Sequence, residues 1–325
     1  MDTNLKPRFD AAESVFVERA LLWIEEQAYN IVLPPMEGRK YVPVDNKTPP
    51  GAKFTAYRQY TRTGLARLIT ERGADLPNAS VFVREFIHQF YPLGAAYEYN
   101  YLDLLAAAMQ AANGGPPLNL DLEGATAAME AIEKKLDIIA AFGSGSAGTF
   151  GLDSDFDVGM VGLVNLPSMN AYTVATGMAS SQAFADKTPD EVIADMHGIV
   201  AAQIDLTYKA FVPDSMLLPV AQYESIAGRS MGDGRSDTIL SYFRKTSQHI
   251  KEVDSWIYLK GAGGTSVDRM MVYKKDPRML RHMINMEFQQ LPPQLEGMTY
   301  RVACLAQSAG VISPYPISVS YGDGI

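Results

Sequence analysis

"LNLDLEGATAAMEAIEKKLDIIAAFG", Leu118 to Gly143, and the stretch that follows it, "SGSAGTFGLDSDFDVG", Ser144 to Gly159, decide between two kinds of molecule. The first stretch carries the strongest helical pattern in the chain. Ala125, Met129, Ile132, Leu136 and Ile139 recur at an average spacing of about 3.5 residues, which aligns them on one face. Asn119 or Asp121 can cap the start, and Gly143 can close the end in a left-handed conformation. At ~1.5 Å per residue the predicted helix spans roughly 30 to 35 Å. The second stretch has no apolar period and is built from Gly, Ser and Asp.

Gly143-Ser144 followed by Asp155-x-Asp157 resembles the signature of polymerase-beta-type nucleotidyltransferases, in which a Gly-Ser pair holds a triphosphate and an acidic pair holds Mg²⁺. Asp155 and Asp157 alternate correctly for one strand face, and Asp205 in "QIDLTYKAF" is available as a third carboxylate. Hard Mg²⁺ takes oxygen ligands, and two ions can bridge a transferring phosphate. Two features oppose this reading. In that enzyme class a strand leads into the Gly-Ser and a helix follows, whereas here a helix leads in and Gly-rich chain follows. Lys187 is also the only basic residue between Gly143 and Lys209. Ordinary turn chemistry explains the same letters, because Asp and Ser side chains accept backbone N–H bonds beside glycines.

The 325 residues, 47% of them hydrophobic, suffice for one large domain or two ordinary ones. The net charge of -9 has no acidic tail, which argues against a broad grip on nucleic acid or an anionic membrane. The single Cys304, in an apolar run, excludes a disulfide framework and multi-cysteine metal clusters and reads as a buried structural thiol. His88, His197, His249 and His282 do not cluster in sequence. The first twenty residues lack the apolar core of a secretory signal, and no run reaches the roughly 18 apolar residues of a membrane span. "GAGG" at Gly261–Gly264 lacks the Lys and Ser/Thr of a P-loop.

Along the chain, "FDAAESVFVERALLWIEEQAYN" reads as an amphipathic helix opened by a capping box of Asp10 and Glu13. "KFTAYRQYTRTG", Lys53–Gly64, after a Pro-rich stretch, reads as part of a long extended excursion, a hairpin with too few large aliphatics for a core of its own. Its aromatic and basic residues also fit stacking on single-stranded nucleic acid, though packing on a protein neighbour is the commoner use. "ASVFVREFIHQFYPLGAAYEYNY" reads as strands and "YLDLLAAAMQAAN" as a helix. Thr188-Pro189-Asp190-Glu191 places an N-cap, a first-turn proline and a reciprocal glutamate on another helix. "SDTILSYFRKTSQHI" reads as a helix capped by Ser236; "DSMLLPVAQY", "DSWIYLKGAG" and "DRMMVYKK" read as strands; the last 27 residues read as two strands separated by Gly310.

Taken in order, "PLGAAYEYNYLDLLAAAMQ", the long helix, "GLVNLPSM", "TPDEVIADMHGIV", "DSMLLPVAQYESIA", "DRMMVYKKDP" and "GVISPYPISVSYGDGI" resemble a tailed-phage major capsid protein of the Hong Kong 97-type fold, in the branch close to encapsulins. The resemblance implies an α+β fold. Its parts are an N-arm at residues 1–37, an extended loop lying over a neighbouring subunit at 38–70, a peripheral domain of 71–142 with 286–325 that carries the long helix, and an axial domain at 143–285. It implies self-assembly of pentamers and hexamers into an icosahedral shell around double-stranded DNA, touched non-specifically. Portal and scaffold or decoration proteins are the implied partners, and no membrane is. It also implies no enzyme activity, no cofactor and no metal, location in the virion capsid, and assembly in the host cytoplasm. Under it the Gly-rich stretch becomes an acidic interdomain loop that enters a "GLVN" hinge. Two alternatives stand beside it: a Mg²⁺-dependent nucleotidyltransferase using Asp155, Asp157 and Asp205, and the shell of a cellular nanocompartment.

Overall fold

The computed structural model describes residues 35–67, 78–112, 120–144, 158–232, 234–264 and 266–325. The chain opens with one helical turn, Gly38–Tyr41 (α1), and a two-residue strand, Val44–Asp45 (β1). Phe54–Thr63 (β2) and Ser80–Gln89 (β3) pair antiparallel, and Tyr91–Asn100 (β4) leads to the helices Tyr101–Ala112 (α2) and Leu120–Phe142 (α3). Next come Asn170–Thr173 (β5), Pro189–Leu206 (α4), Ser215–Leu218 (β6), Val220–Gly228 (α5), Ser230–Gly232 (β7), Arg235–Thr238 (β8) and Ile239–Thr246 (α6). Glu252–Ser255 (β9), Arg269–Tyr273 (β10), Arg281–Gln290 (β11), Gln294–Glu296 (β12), Thr299–Ile312 (β13) and Val319–Asp323 (β14) complete the α+β architecture.

Two five-stranded sheets organise it. In the first, β13 pairs antiparallel with β11 and β12 along one edge and with β4 along the other, and β1 adds to β11. Alternation along β13 turns Val302, Cys304 and Ala306 inward, and Cys304 and Ala306 meet Ala128, Ile132 and Leu136 of α3. The second sheet runs β5-β14-β10-β6-β9 and is buried on both faces, which is why β6 and β10 read as near-continuous apolar runs. Met216, Leu218, Met270 and Val272 face α4 and α6; Leu217, Met271 and Tyr321 face the other way, toward Ile138, Ala141, Leu163 and Trp256. The last turns of α3 thus pack in the joint between the sheets.

The exit from α3 accounts for Gly143; residues 145–157 of the Gly-rich stretch lie outside the described residues. Gly143 takes φ +70 and donates its N–H to the carbonyl of Ile139, a left-handed cap at the predicted place. The Asn165 side chain donates to the carbonyl of Phe142 at 2.8 Å and accepts from the N–H of Gly162 at 2.7 Å. The hinge asparagine therefore satisfies a helix-terminal carbonyl that would otherwise be left over. Below the joint, α1 clasps both layers: Arg39 reaches Glu133 and Glu287, each at 2.8 Å, while Tyr41 donates its hydroxyl to the carbonyl of Ser255 at 2.7 Å.

Several expectations change. On α3 the buried face runs through Ala128 rather than Met129, which is 50% exposed. Thr238, not Ser236, caps α6, with Ser241 N–H donating to its hydroxyl. "DSMLLPVAQY" is a strand only to Leu218; Pro219 is then the N-cap of α5. "DSWIYLKGAG" leaves its strand at Ser255 for a 3-10 turn at Ile257–Leu259. Gly310, at φ +77, lies within β13, and the break falls instead between Ile312 and Val319. Strand β11, with apolar residues grouped early and polar ones late, has no counterpart in the sequence reading. The capping box at Thr188 and Glu191 is present as expected. The helix predicted from Phe9 to Asn30 lies outside the described residues.

Candidate assembly surface

Among the described residues, the antiparallel pair of β2 and β3 carries a run of exposed apolar side chains. Ten residues pair with ten in unbroken register from Phe54↔Gln89 to Thr63↔Ser80. At about 3.3 Å per residue the arm is ~33 Å long. Among the described residues each strand pairs only with the other, so the two-stranded ribbon offers backbone donors and acceptors along both outer edges. One face carries Phe54, Tyr60, Val81, Val83 and Ile87, and the other carries Phe82 and Phe86; Phe54 is 58% and Ile87 66% exposed. An isolated two-stranded ribbon is marginally stable in water, and an apolar surface this continuous marks a contact site.

Among the described residues, contacts at the root tie the arm to the body. Phe90 donates its N–H to the carbonyl of Lys53 at 2.9 Å, and the Asn285 side chain donates to the carbonyl of Ala52 at 3.1 Å. Tyr57 packs on the small core of Phe90, Met283, Ala309 and Ile312 and stacks between Phe86, at 5.1 Å, and His88, at 5.7 Å. Burial and the neighbouring Arg281 hold the His88 imidazole below its ordinary range, and burial pushes the Tyr57 hydroxyl up.

A second uncovered surface lies at the far end of the first sheet. β4 starts beside the arm root at Tyr91 and ends at Asn100, so this end is roughly 30 Å from the root. It presents Tyr101, Leu102, Leu105 and Met109 of α2 with Leu122, Leu295 and Met298. Glu98, Asp103, Asp121, Glu123 and Glu296 surround them, Arg301 pairs with Glu98 and Glu296, and no Lys or Arg occurs between Arg84 and Lys134 in the sequence. The arm strands have the opposite balance, Arg58, Arg62 and Arg84 against Glu85.

The residues singled out for metal-ion chemistry are not brought into a site by the described residues. Asp155 and Asp157 lie outside them, and Asp205 is exposed in the last turn of α4. Ser144 is engaged locally: its hydroxyl accepts from the N–H of Met160 at 3.0 Å. Lys187, the one cation expected near a triphosphate, is buried against Asp195 at 2.5 Å. Among the described residues no three His, Cys, Asp or Glu side chains gather as metal ligands, and no helix is long and apolar enough to cross a membrane. The extended loop expected at residues 38–70 contains β2, and its pairing partner β3 lies in the stretch expected to belong to the peripheral domain, because β-branched and aromatic letters look alike in an arm and in a core.

A family model described as "Major capsid protein" matches residues 64–325. No curated protein matches. Among solved structures, the capsid of Myoviridae phage XM1 superposes with a TM-score of 0.76 at 14% identity, over 94% of this chain and 98% of that one. The capsid of a native GTA particle gives 0.63 at 11% identity over 98% and 99% of the two chains, and a chain of Mycobacterium phage Bobi gives 0.57 at 16% over 97% and 98%. At such identities the likeness carries the fold. With the family match over most of the length, the chain belongs to the Major capsid protein family and is a shell-forming protein of a phage-type capsid.

Proposed function

We propose that this chain is the repeating subunit of an icosahedral shell of pentamers and hexamers that encloses double-stranded DNA, and that it has no catalytic role. The observation that carries the reading is the arm, a ribbon about 33 Å long whose strands, among the described residues, pair only with each other and expose apolar side chains beyond the root. Its complement is at the opposite end of the same chain, basic and apolar against acidic and apolar. Such an arrangement makes a head-to-tail contact between copies, and repeated head-to-tail contacts close into rings when the rotation allows. The domain plan follows: an N-arm before α1, the extended loop, a peripheral part around α3 and the first sheet, and an axial part around the second. In the strand pairing β11 belongs with the first sheet and β14 with the second. Assembly in the host cytoplasm, portal and scaffold or decoration partners, and loose contact with DNA complete the proposal. A diffusely negative subunit releases DNA readily because few phosphates are neutralised.

Excision of the arm tests the reading. The hydrogen bond from Phe90 to Lys53 holds the two ends together, so Lys53 can be joined to Phe90 through an Asn-Gly turn. The expected product is a folded subunit that sediments without shells, while the full chain forms shells visible by negative-stain microscopy. Shells from the armless chain would overturn the proposal. Replacing Asp155 and Asp157 by Asn is expected to leave folded, assembling protein, and a Mg²⁺-dependent nucleotide-transfer activity lost on that replacement would reinstate the enzyme reading.

A further inference from the structure

We propose that the root of the arm is an acid-sensitive hinge, in which protonation of His88 beside Arg281 loosens β2 and β3 from the first sheet. His88 stands on β3 two residues before the buried Phe90, with its ring stacked on Tyr57 at 5.7 Å and an interplanar angle of 10°. Its Nε2 is buried without a hydrogen bond among the described residues, and so is Nε of Arg281. Arg281 is held from the other side by Asp45, at 3.5 Å. The groups that face the imidazole are thus Tyr57 from β2, Arg281 from β11 and, behind Arg281, Asp45 from β1. The arm-root core contributes only apolar side chains, Phe90, Met283, Ala309 and Ile312.

A second positive charge here would meet a guanidinium in a partly dry pocket, with one carboxylate already engaged. The sign follows from the neutral form being favoured when the arm is rooted. Rooting has its full strength above the ordinary histidine range near pH 6.5 and weakens as pH falls below it, because the released arm takes up the proton more readily. Few contacts hold the root, so a small change there is spread along the whole arm. The inference concerns the subunit's own hinge and does not rest on the shell reading.

Hydrogen–deuterium exchange on the full chain, dispersed as subunits, tests it. Peptides covering Ala52–Tyr60 and Val83–Phe90 are followed at pH 7.5 and pH 5.5, after correction for intrinsic exchange. Exchange at the root is expected to rise several-fold at the lower pH in the wild type. In His88→Phe, which keeps a ring on Tyr57 but cannot titrate, exchange should stay flat. Arg281→Gln removes the facing charge and is expected to shrink the rise, which covers the case in which the Phe variant does not fold. An equal rise in His88→Phe or Arg281→Gln, or no rise in the wild type, would overturn the hinge.

Discussion

Two buried polar residues show how the chain uses single side chains. His282 on β11 is fully enclosed, with Nε2 at 3.0 Å from the Ser308 hydroxyl, and burial with the nearby Arg39 charge holds its imidazole down at about 3. The native state therefore keeps it neutral. Its contribution is complete above the ordinary value of 6.5 and is lost as pH falls from there toward about 3, on the order of a few kcal/mol in all. Equilibrium denaturation between pH 7 and 4 should show a shallower loss of stability in His282→Asn than in the wild type; equal slopes would count against a buried neutral imidazole. Lys187 makes the second case. Its ammonium and the Asp195 carboxylate are 1% and 4% exposed, so Lys187→Met strands a buried carboxylate. The expected cost is ~3–5 kcal/mol, with much of it recovered in Lys187→Met with Asp195→Leu, measured by denaturation of the dispersed subunit. In the sequence Lys187 was the lone cation near an apparent phosphate site; only the fold reveals its partner, eight residues on.

At the scale of elements, legibility tracked how local the cause was. The long helix, its Gly143 stop and the Thr188 capping box were readable because periodicity and capping are properties of neighbouring residues. The exact buried face of α3 was not: 3.5 and 3.6 residues per turn differ little over four turns, and the sheet selected Ala128 over Met129 because a small side chain lets the helix approach. Pro219 and Gly310 misled in opposite directions. The first is the N-cap of a helix where a strand seemed to continue, and the second bends a strand that seemed to end. β11 carries no local signal because its burial changes along its length, its pairing with β13 is interrupted by register shifts, and its other partner, β1, lies more than two hundred residues away. The helix face can be checked directly. Leu136→Ala, at a site 1% exposed, should cost ~2–5 kcal/mol through lost burial and a residual cavity, whereas Met129→Lys should stay within about 0.5 kcal/mol. Thermal or urea unfolding of the dispersed subunit separates the two, and equal losses would reinstate the face through Met129.

For the whole molecule the decisive quantity is the opposition between its two ends. A purely apolar arm would dock wherever apolar surface was free, and its association would strengthen with salts that favour burial. An arm carrying Arg58 and Arg62 on one face toward a surface carrying Asp103, Asp121 and Glu123 gains both attraction and choice of partner. Screening distinguishes the two cases, because the Debye length falls from roughly 10 Å at 0.1 M salt to about 3 Å at 1 M. The initial rate of shell formation, followed by light scattering, is therefore expected to fall as NaCl is raised from low to molar concentration. Arg58→Glu with Arg62→Glu should leave the subunit folded, since both side chains are exposed and neither holds the root, yet suppress assembly. Adding Asp103→Lys and Glu123→Lys to the same chain reverses both ends together and should restore shells. Restoration would identify the acidic end of the first sheet as the seat of the arm on the next copy. Assembly that is indifferent to both pairs of substitutions would mean that the arm is seated elsewhere, on a surface that reads only its apolar side chains.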